Sequence, residues 1–84
     1  MMHATVYLQG LSYRLTEDPS DFCELTLSDG TSEVGLDADT GFDSDPDVID
    51  QTAARFEAAS EEFVARMRKR ATEIRRERAF KGHW

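Results

Sequence analysis

With 84 residues, the chain can form one domain that buries only about 60% of its unfolded surface, which argues against a deep enclosed active site. Charged residues make up 32% of the sequence and the mean hydropathy is -0.57, so a membrane-embedded chain is excluded. The first residues lack the basic flank and apolar core of a signal peptide, and there is a single cysteine, Cys23. We therefore expect a cytoplasmic protein.

The formal net charge of -7 conceals a division of charge along the sequence. Residues 1–62 hold 15 acidic residues against Arg14 and Arg55, a net charge of -13. Residues 63–84 hold eight basic residues against Glu73 and Glu77, a net charge of +6. Such asymmetry is typical of nucleic-acid contact, of a charged tail, or of head-to-tail association between copies.

The predicted fold class is α+β, a single domain with an antiparallel meander of three or four strands in residues 1–38. Residues 22–28 and 31–37 both alternate between apolar and polar side chains, which indicates two half-buried strands. Asp29-Gly30 between them is typical of a two-residue type I′ turn. That turn sets three cross-strand pairs: Leu27 with Ser32, Leu25 with Val34, and Cys23 with Leu36. All apolar residues of this hairpin then share one face.

The apolar parity changes at Gly10. Before it the apolar residues are at even positions, and after it at odd ones: Ala4, Val6 and Leu8, then Leu11, Tyr13 and Leu15. A β-bulge within one long strand restores a single apolar face, and so does a tight hairpin at Gln9-Gly10. The sequence leaves both open, and with them the choice between three strands and four.

One long helix is predicted over residues 46–79, after an acidic connection (39–45) and before a C-terminal tail (80–84). Ser44 or Asp45 can cap its first amide groups, and Pro46 suits its first turn. Apolar residues recur at three- and four-residue spacing without an intervening Pro or Gly: Ile49, Ala53, Phe56, Ala59, Phe63, Met67, Ala71 and Ile74. We call this set the helix stripe.

The helix stripe is longer than the sheet that precedes it. It extends about 38 Å, whereas a seven-residue strand spans about 23 Å. The stripe past its midpoint therefore needs another cover, and a second copy of the chain is the simplest one. The sequence predicts a homodimer whose helix interface contains Phe63, Met67, Ala71 and Ile74.

An acidic surface is predicted around the connection and the helix start, formed by Asp37, Asp39, Asp43, Asp45, Asp47 and Asp50. The spacing does not match a calcium-binding EF-hand loop, so no metal site is assigned. Helix capping and the helix dipole explain part of the cluster. A row of carboxylates can also imitate phosphates and occupy the basic groove of a nucleic-acid-binding protein.

A basic helix end is predicted at the opposite end of the helix, formed by Arg66, Arg68, Lys69, Arg70, Arg75, Arg76 and Arg78. Such a run can contact a phosphate backbone. The strongly negative remainder of the chain repels nucleic acid, however, and the basic residues are distributed around the helix. The alternatives are a helix end that is simply solvated, and pairing with the acidic half of a partner subunit or with another protein.

No catalytic, nucleotide-binding or cofactor-binding motif is present in the sequence, so we expect a non-enzymatic protein-binding module. The leading hypothesis is an acidic inhibitor that occupies a basic nucleic-acid-binding site on another protein. Small, acidic chains without motifs are frequent among phage-encoded inhibitors of host defence, such as anti-CRISPR and anti-restriction proteins, and this analogy is one of class alone. The alternatives are a nucleic-acid-associated or antitoxin-like regulator that uses the basic helix end, and a structural assembly component.

Overall fold

The computed structural model describes residues 5–82, which form three antiparallel strands followed by one long helix. The elements are a 3-10 turn (Leu8–Gly10), strands β1 (Ser12–Leu15), β2 (Phe22–Ser28) and β3 (Glu33–Asp39), and helix α1 (Pro46–Lys81). This architecture confirms the predicted α+β meander with a C-terminal helix, and it has three strands. Backbone contacts divide the chain into two compact units, one ending at Asp50 and the other beginning at Gln51.

The sheet has the order β1-β2-β3, with β2 in the centre. Leu25 of β2 lies opposite Leu15 on one side and Leu36 on the other. Because directly opposed residues point to the same side of a sheet, the register collects eight apolar side chains on one face. This apolar sheet face consists of Tyr13, Leu15, Cys23, Leu25, Leu27, Val34, Leu36 and Ala38. The predicted segregation of apolar and polar residues is confirmed except at Phe22, which lies opposite Asp39 on the polar face.

The predicted register of the β2–β3 hairpin is wrong by two residues. Residues 29–32 form a four-residue loop instead of a two-residue turn. The observed pairs are Ser28 with Glu33, Leu27 with Val34, Leu25 with Leu36, and Cys23 with Ala38. Since a slip of two residues preserves the alternation, the apolar side chains stay on the face that was predicted.

Asp29 explains the longer loop. Its carboxylate accepts hydrogen bonds from the backbone N–H groups of Thr31 (2.8 Å) and Ser32 (2.7 Å), and its own N–H donates to the Ser32 carbonyl (3.2 Å). Gly30 adopts a φ of 88°, which a residue without a Cβ tolerates best. The side chain of Asp29 thus organises four residues where the dipeptide alone indicates two.

Neither arrangement predicted at Gly10 is present. The Gly10 N–H donates to the Tyr7 carbonyl (3.4 Å) and the Leu11 N–H to the Leu8 carbonyl (3.1 Å), so the chain makes a 3-10 turn before β1. Residues 5–7 are not in a strand, and Ala4 lies outside the described residues. With three residues per turn, this segment interrupts the alternation and produces the change of parity.

Helix α1 covers Pro46–Lys81, two residues beyond the predicted end. Asp45 is its N-cap, because the Asp45 carboxylate accepts the Asp47 N–H at 2.9 Å. Ser44, the other predicted cap, instead donates its hydroxyl to the Asp39 carboxylate at 2.8 Å. Although α1 is long, it is too polar to form a membrane span, and it is the one α-helix in the described part of the chain.

The hydrophobic side chains of residues 5–82 do not form a buried core. None of them is buried, and the one buried residue among those described is Thr26, at 7% exposure. Thr26 lies on the polar face of the central strand, where its hydroxyl donates to the Glu24 carboxylate at 3.0 Å. The apolar surfaces that the sequence was expected to bury are therefore partly accessible.

Candidate protein-binding surfaces

The apolar sheet face is open on both outer strands. Tyr13 and Leu15 of β1 are 66% and 59% exposed, and Leu36 of β3 is 39% exposed. Leu25 and Leu27, on the central strand, are half-buried. Alternation predicted the composition of this face, but not that it would lie open. An open apolar face of this kind is a typical protein-docking surface.

The polar face of the same sheet carries an acidic pair. Glu24 and Asp37 lie directly opposite each other, and Gly35, beside them, leaves space for the Glu24 carboxylate. A Cβ added at Gly35 would come within 3.0 Å of Glu24 Oε2. The hydrogen bond between the two carboxyl groups lowers the pKa of Glu24 and raises the pKa of Asp37. The pair therefore holds a proton on Asp37 at a higher pH than an isolated aspartate does.

An ion pair bridges the polar face from one outer strand to the other. The Arg14 guanidinium on β1 lies 3.1 Å from Glu33 Oε1 on β3, and both side chains are largely exposed. Thr26 lies between these strands on β2, opposite Arg14 and Gly35. Thr26 is thus on the central strand that the ion pair crosses, and its buried hydroxyl is satisfied by the Glu24 carboxylate.

The six residues of the predicted acidic surface divide into two groups. Asp37, Asp39 and Asp45 have structural partners, whereas the exposed carboxylates of Asp43, Asp47 and Asp50 have no hydrogen bond among residues 5–82. Asp39 accepts the Gly41 N–H (3.0 Å) and the Ser44 hydroxyl, and these bonds lower its pKa. The second group is thus the one that is free to contact a partner.

Sequence reasoning missed Glu24 and Glu33 as members of an acidic face. Alternation alone places both on the polar side of the sheet, but the predicted register put Gly35 opposite Glu24. The observed slip of two residues brings Asp37 there instead. Within the described chain, no three His, Cys, Asp or Glu side chains converge in a way that could hold a metal ion.

The helix stripe is exposed over both halves of α1. Phe56 is 51% exposed, Phe63 53% and Met67 42%. Ala71 and Ile74, the other two residues of the predicted helix interface, are half-buried. The stripe was expected to be uncovered past Phe63, but Phe56, in the first half, is just as exposed. The large side chains at the centre of the stripe are therefore available for contact.

The basic helix end contains paired and unpaired residues. Arg66 forms an ion pair with Glu62, one turn earlier, and Arg70 lies 3.3 Å from Glu73 and 3.5 Å from Glu77. The other five have no ion pair within the part of the chain that the structure describes: Arg68, Lys69, Arg75, Arg76 and Arg78.

The unpaired bases are arranged in rows. Arg68 and Arg75 are seven residues apart and lie on one side of α1, and Lys69 and Arg76 form a parallel row next to them. These rows are on the helix surface away from the stripe. An anion bound by them would leave the stripe free.

Comparison of the chain with protein-family models, with curated proteins and with solved structures finds no match. Its function must therefore be inferred from its own surfaces.

Proposed function

We propose that the protein is a non-enzymatic binding protein that docks on a basic partner protein through its three-stranded sheet. The observation that carries this proposal is the open apolar sheet face, with Tyr13 and Leu15 at 66% and 59% exposure. A chain that fully buries none of its described hydrophobic side chains gains stability by covering them in a complex. Binding, rather than catalysis in an enclosed pocket, suits such a surface.

The negative charge of the first 50 residues indicates that the partner is basic. The first 50 residues hold twelve acidic residues and one basic residue, Arg14, for a net charge of -11. Two sheets placed face to face would bring these like charges together, which disfavours a sheet-to-sheet dimer. A partner with a basic rim around an apolar patch is attracted at long range and complements the surface at contact.

The free carboxylates supply the inhibitory part of the proposal. Asp43, Asp47 and Asp50 follow one another from the connection into the first turns of α1 and remain exposed. A basic site that binds nucleic acid recognises repeated negative charge, and a row of carboxylates can compete for it. The protein would then act as an acidic inhibitor of a nucleic-acid-binding protein, the role proposed by analogy with phage-encoded anti-CRISPR and anti-restriction proteins.

The test compares two matched triple variants with the unchanged protein. One is Asp43→Asn, Asp47→Asn and Asp50→Asn, and the other is Arg68→Gln, Arg75→Gln and Arg76→Gln, so each neutralises three exposed charges. Each protein, with its helix content checked by circular dichroism, is immobilised and exposed to nuclease-treated lysate of the native host. Bound protein is then eluted with duplex DNA and identified by mass spectrometry.

We expect the unchanged protein and the arginine variant to retain the same DNA-eluted protein, and the aspartate variant to lose it. Retention by the aspartate variant, or loss from the arginine variant alone, contradicts the acidic-inhibitor proposal. The same holds if bound protein is not released by DNA.

The second candidate function is direct nucleic-acid contact by the basic helix end, as in an antitoxin-like regulator. The rows formed by Arg68 with Arg75 and Lys69 with Arg76 favour it, since these four side chains have no ion pair among the described residues. An electrophoretic mobility shift at low salt discriminates: a shift that the arginine variant abolishes supports this function, and no shift removes it.

A further inference from the structure

Six of the eight residues of the helix stripe fall on a seven-residue repeat; Ala59 and Ala71 lie beside it. Ile49, Phe56 and Phe63 form one series at intervals of seven, which Arg70 continues. Between them runs a second series at the same interval: Ala53, Ser60, Met67 and Ile74. Two such series, offset by three and four residues, form the contact seam of a two-helix coiled coil. The exposure of Phe56, Phe63 and Met67 shows that this seam is uncovered in the single chain.

The centre of the stripe coincides with the point where the charge of α1 changes sign. The stripe extends from Ile49 to Ile74, so its midpoint lies between Glu61 and Glu62. From residue 46 to 62 the helix holds five acidic residues and Arg55, a net charge of -4. From residue 63 to 81 it holds eight basic and two acidic residues, a net charge of +6.

Because the charge changes sign at the stripe midpoint, only some partners can cover the whole stripe. A partner helix of uniform charge is repelled by one half of α1, and a parallel second copy places like charges together along its full length. An antiparallel second copy places each acidic half on a basic half, at both ends of the contact. It is also the arrangement that a two-fold axis through the stripe midpoint generates.

We propose that α1 pairs with α1 of a second copy in antiparallel orientation, centred between Glu61 and Glu62. Full overlap of the stripe places Ile49 opposite Ile74 of the second copy, Phe56 opposite Met67, and Phe63 opposite Ser60, each twice by symmetry. Large side chains then face smaller ones in the central layers, which is how a helix pair fills its seam without voids.

Arg70 fits the same register. Between Ile49 and Ile74 it is the one charged residue of the repeat, and it comes to lie opposite Ala53 of the second copy. The small alanine leaves room for the arginine stem, while the guanidinium keeps its contacts with Glu73 and with Glu77, the next residue of the same series. The inference concerns the helix and not the sheet, so it does not depend on the partner proposed for the apolar sheet face.

Pulsed electron paramagnetic resonance on the purified full chain tests the orientation. Cys23 is first replaced in the substitution Cys23→Ser, so that it does not react with the label. A spin label is then attached to the new cysteine of Ala65→Cys or of Ala79→Cys; both alanines are exposed and lie away from the stripe. In the antiparallel pair, the rise of 1.5 Å per residue separates the two labels along the axis by roughly 11 Å at position 65 and roughly 53 Å at position 79.

A short distance at position 65 together with a long one at position 79 supports the proposal. Equal short distances at both positions mean a parallel pair and overturn it. Any other pair of distances, such as one produced by a helix seated on the sheet of a second copy, overturns it too, and so does the absence of a defined distance.

Sedimentation equilibrium tests the seam itself. We expect Phe63→Glu to raise the dimer Kd about 30-fold or more, because it places a charge in a central layer. Ala65→Glu, two residues away on the outer surface, is the matched control and should leave Kd nearly unchanged. Equal effects of the two substitutions, or a monomeric unchanged protein at tens of micromolar, overturn the proposal.

Discussion

Glu24 and Asp37 lie directly opposite each other on neighbouring strands, with a hydrogen bond between their carboxyl groups. Like charges in this position destabilise a sheet unless one of them is neutralised. The Thr26 hydroxyl also donates to Glu24, so Glu24 keeps the charge while the pKa of Asp37 rises. The polar face of the sheet therefore carries a built-in dependence on pH.

We expect Asp37→Asn to raise the melting temperature at pH 7. Because the pKa of Asp37 is raised in the folded protein, its favourable contribution is present below the ordinary value of 3.8 and is lost as the pH rises through the folded value. An asparagine amide can donate to Glu24 at any pH, whereas the Asp37 carboxyl can donate only when it is protonated. The gain in melting temperature should therefore disappear at about pH 3, where the unchanged protein also has the proton. Melting followed by circular dichroism from pH 3 to pH 8 measures this.

The control for this substitution is Asp43→Asn, which removes the same charge from an exposed residue of the connection that has no hydrogen bond among the described residues. Its effect should be small at every pH. A melting temperature that falls at pH 7 in Asp37→Asn would show that the ionised pair is stabilising, against this account.

The pKa of Asp29 is shifted in the opposite direction from that of Asp37. Its carboxylate accepts the N–H groups of Tyr7 (2.9 Å), Thr31 and Ser32, and these bonds, that of Tyr7 foremost, lower its pKa. Its contribution to stability is thus present above the ordinary value of 3.8 and is lost as the pH falls through the lower folded value.

We expect Asp29→Ala to lower the melting temperature at pH 7, with a deficit that shrinks at about pH 2. The matched control is Asp18→Ala, since Asp18 accepts one N–H, that of Ser20, within its own loop. The loss of melting temperature in Asp18→Ala should be clearly smaller, because Asp18 does not bind the segment before β1, whereas Asp29 binds it through the Tyr7 N–H. Equal deficits would mean that the bond to Tyr7 contributes nothing.

Asp29 also shows how far the sequence could predict this fold. The alternation of β2 and β3 is local and predicted which residues share a face, but the Asp-Gly dipeptide suits a two-residue turn as well as the observed four-residue loop. The choice depends on three N–H groups that meet the Asp29 carboxylate, one of them from Tyr7, 22 residues away. The acidic pair of Glu24 and Asp37 follows from that choice and could not be found without it.

The helix was easier to predict because its signals are local. Its cap, first proline and periodicity lie within the segment itself, so the start was correct and the end differed by two residues. The exposure of Tyr13, Leu15 and Phe56 could not be predicted, since an apolar pattern indicates which side chains share a face and not what covers that face.

The helix cap supplies a third expectation. Asp45→Ala should lower the free energy of unfolding by about 1 kcal/mol, because the Asp47 N–H loses its acceptor at the start of α1. Urea unfolding followed by the helical circular dichroism signal measures it. Asp43→Ala, two residues earlier and outside the helix, removes the same charge without removing a cap. If both substitutions have the same effect, loss of charge rather than loss of the cap is responsible.

The apolar sheet face gives the fourth expectation, in which stability and binding separate. Tyr13→Gln with Leu15→Gln replaces two side chains that are 66% and 59% exposed, so the free energy of unfolding should change by less than about 0.5 kcal/mol for each. Retention of the DNA-eluted partner should be lost, because the substitutions place polar groups in the docking surface.

Ser12→Gln, on the same strand but the opposite face, is the control for this pair and should leave retention intact. A loss of several kcal/mol in Tyr13→Gln with Leu15→Gln would mean that these side chains pack within the chain and not against a partner.

Full stability together with full retention would mean that the partner binds elsewhere, and the free carboxylates of Asp43, Asp47 and Asp50 would then have to hold it without the sheet. Because exposed charges contribute little affinity singly, such a complex should dissociate at moderate salt, whereas one formed through the apolar sheet face should persist.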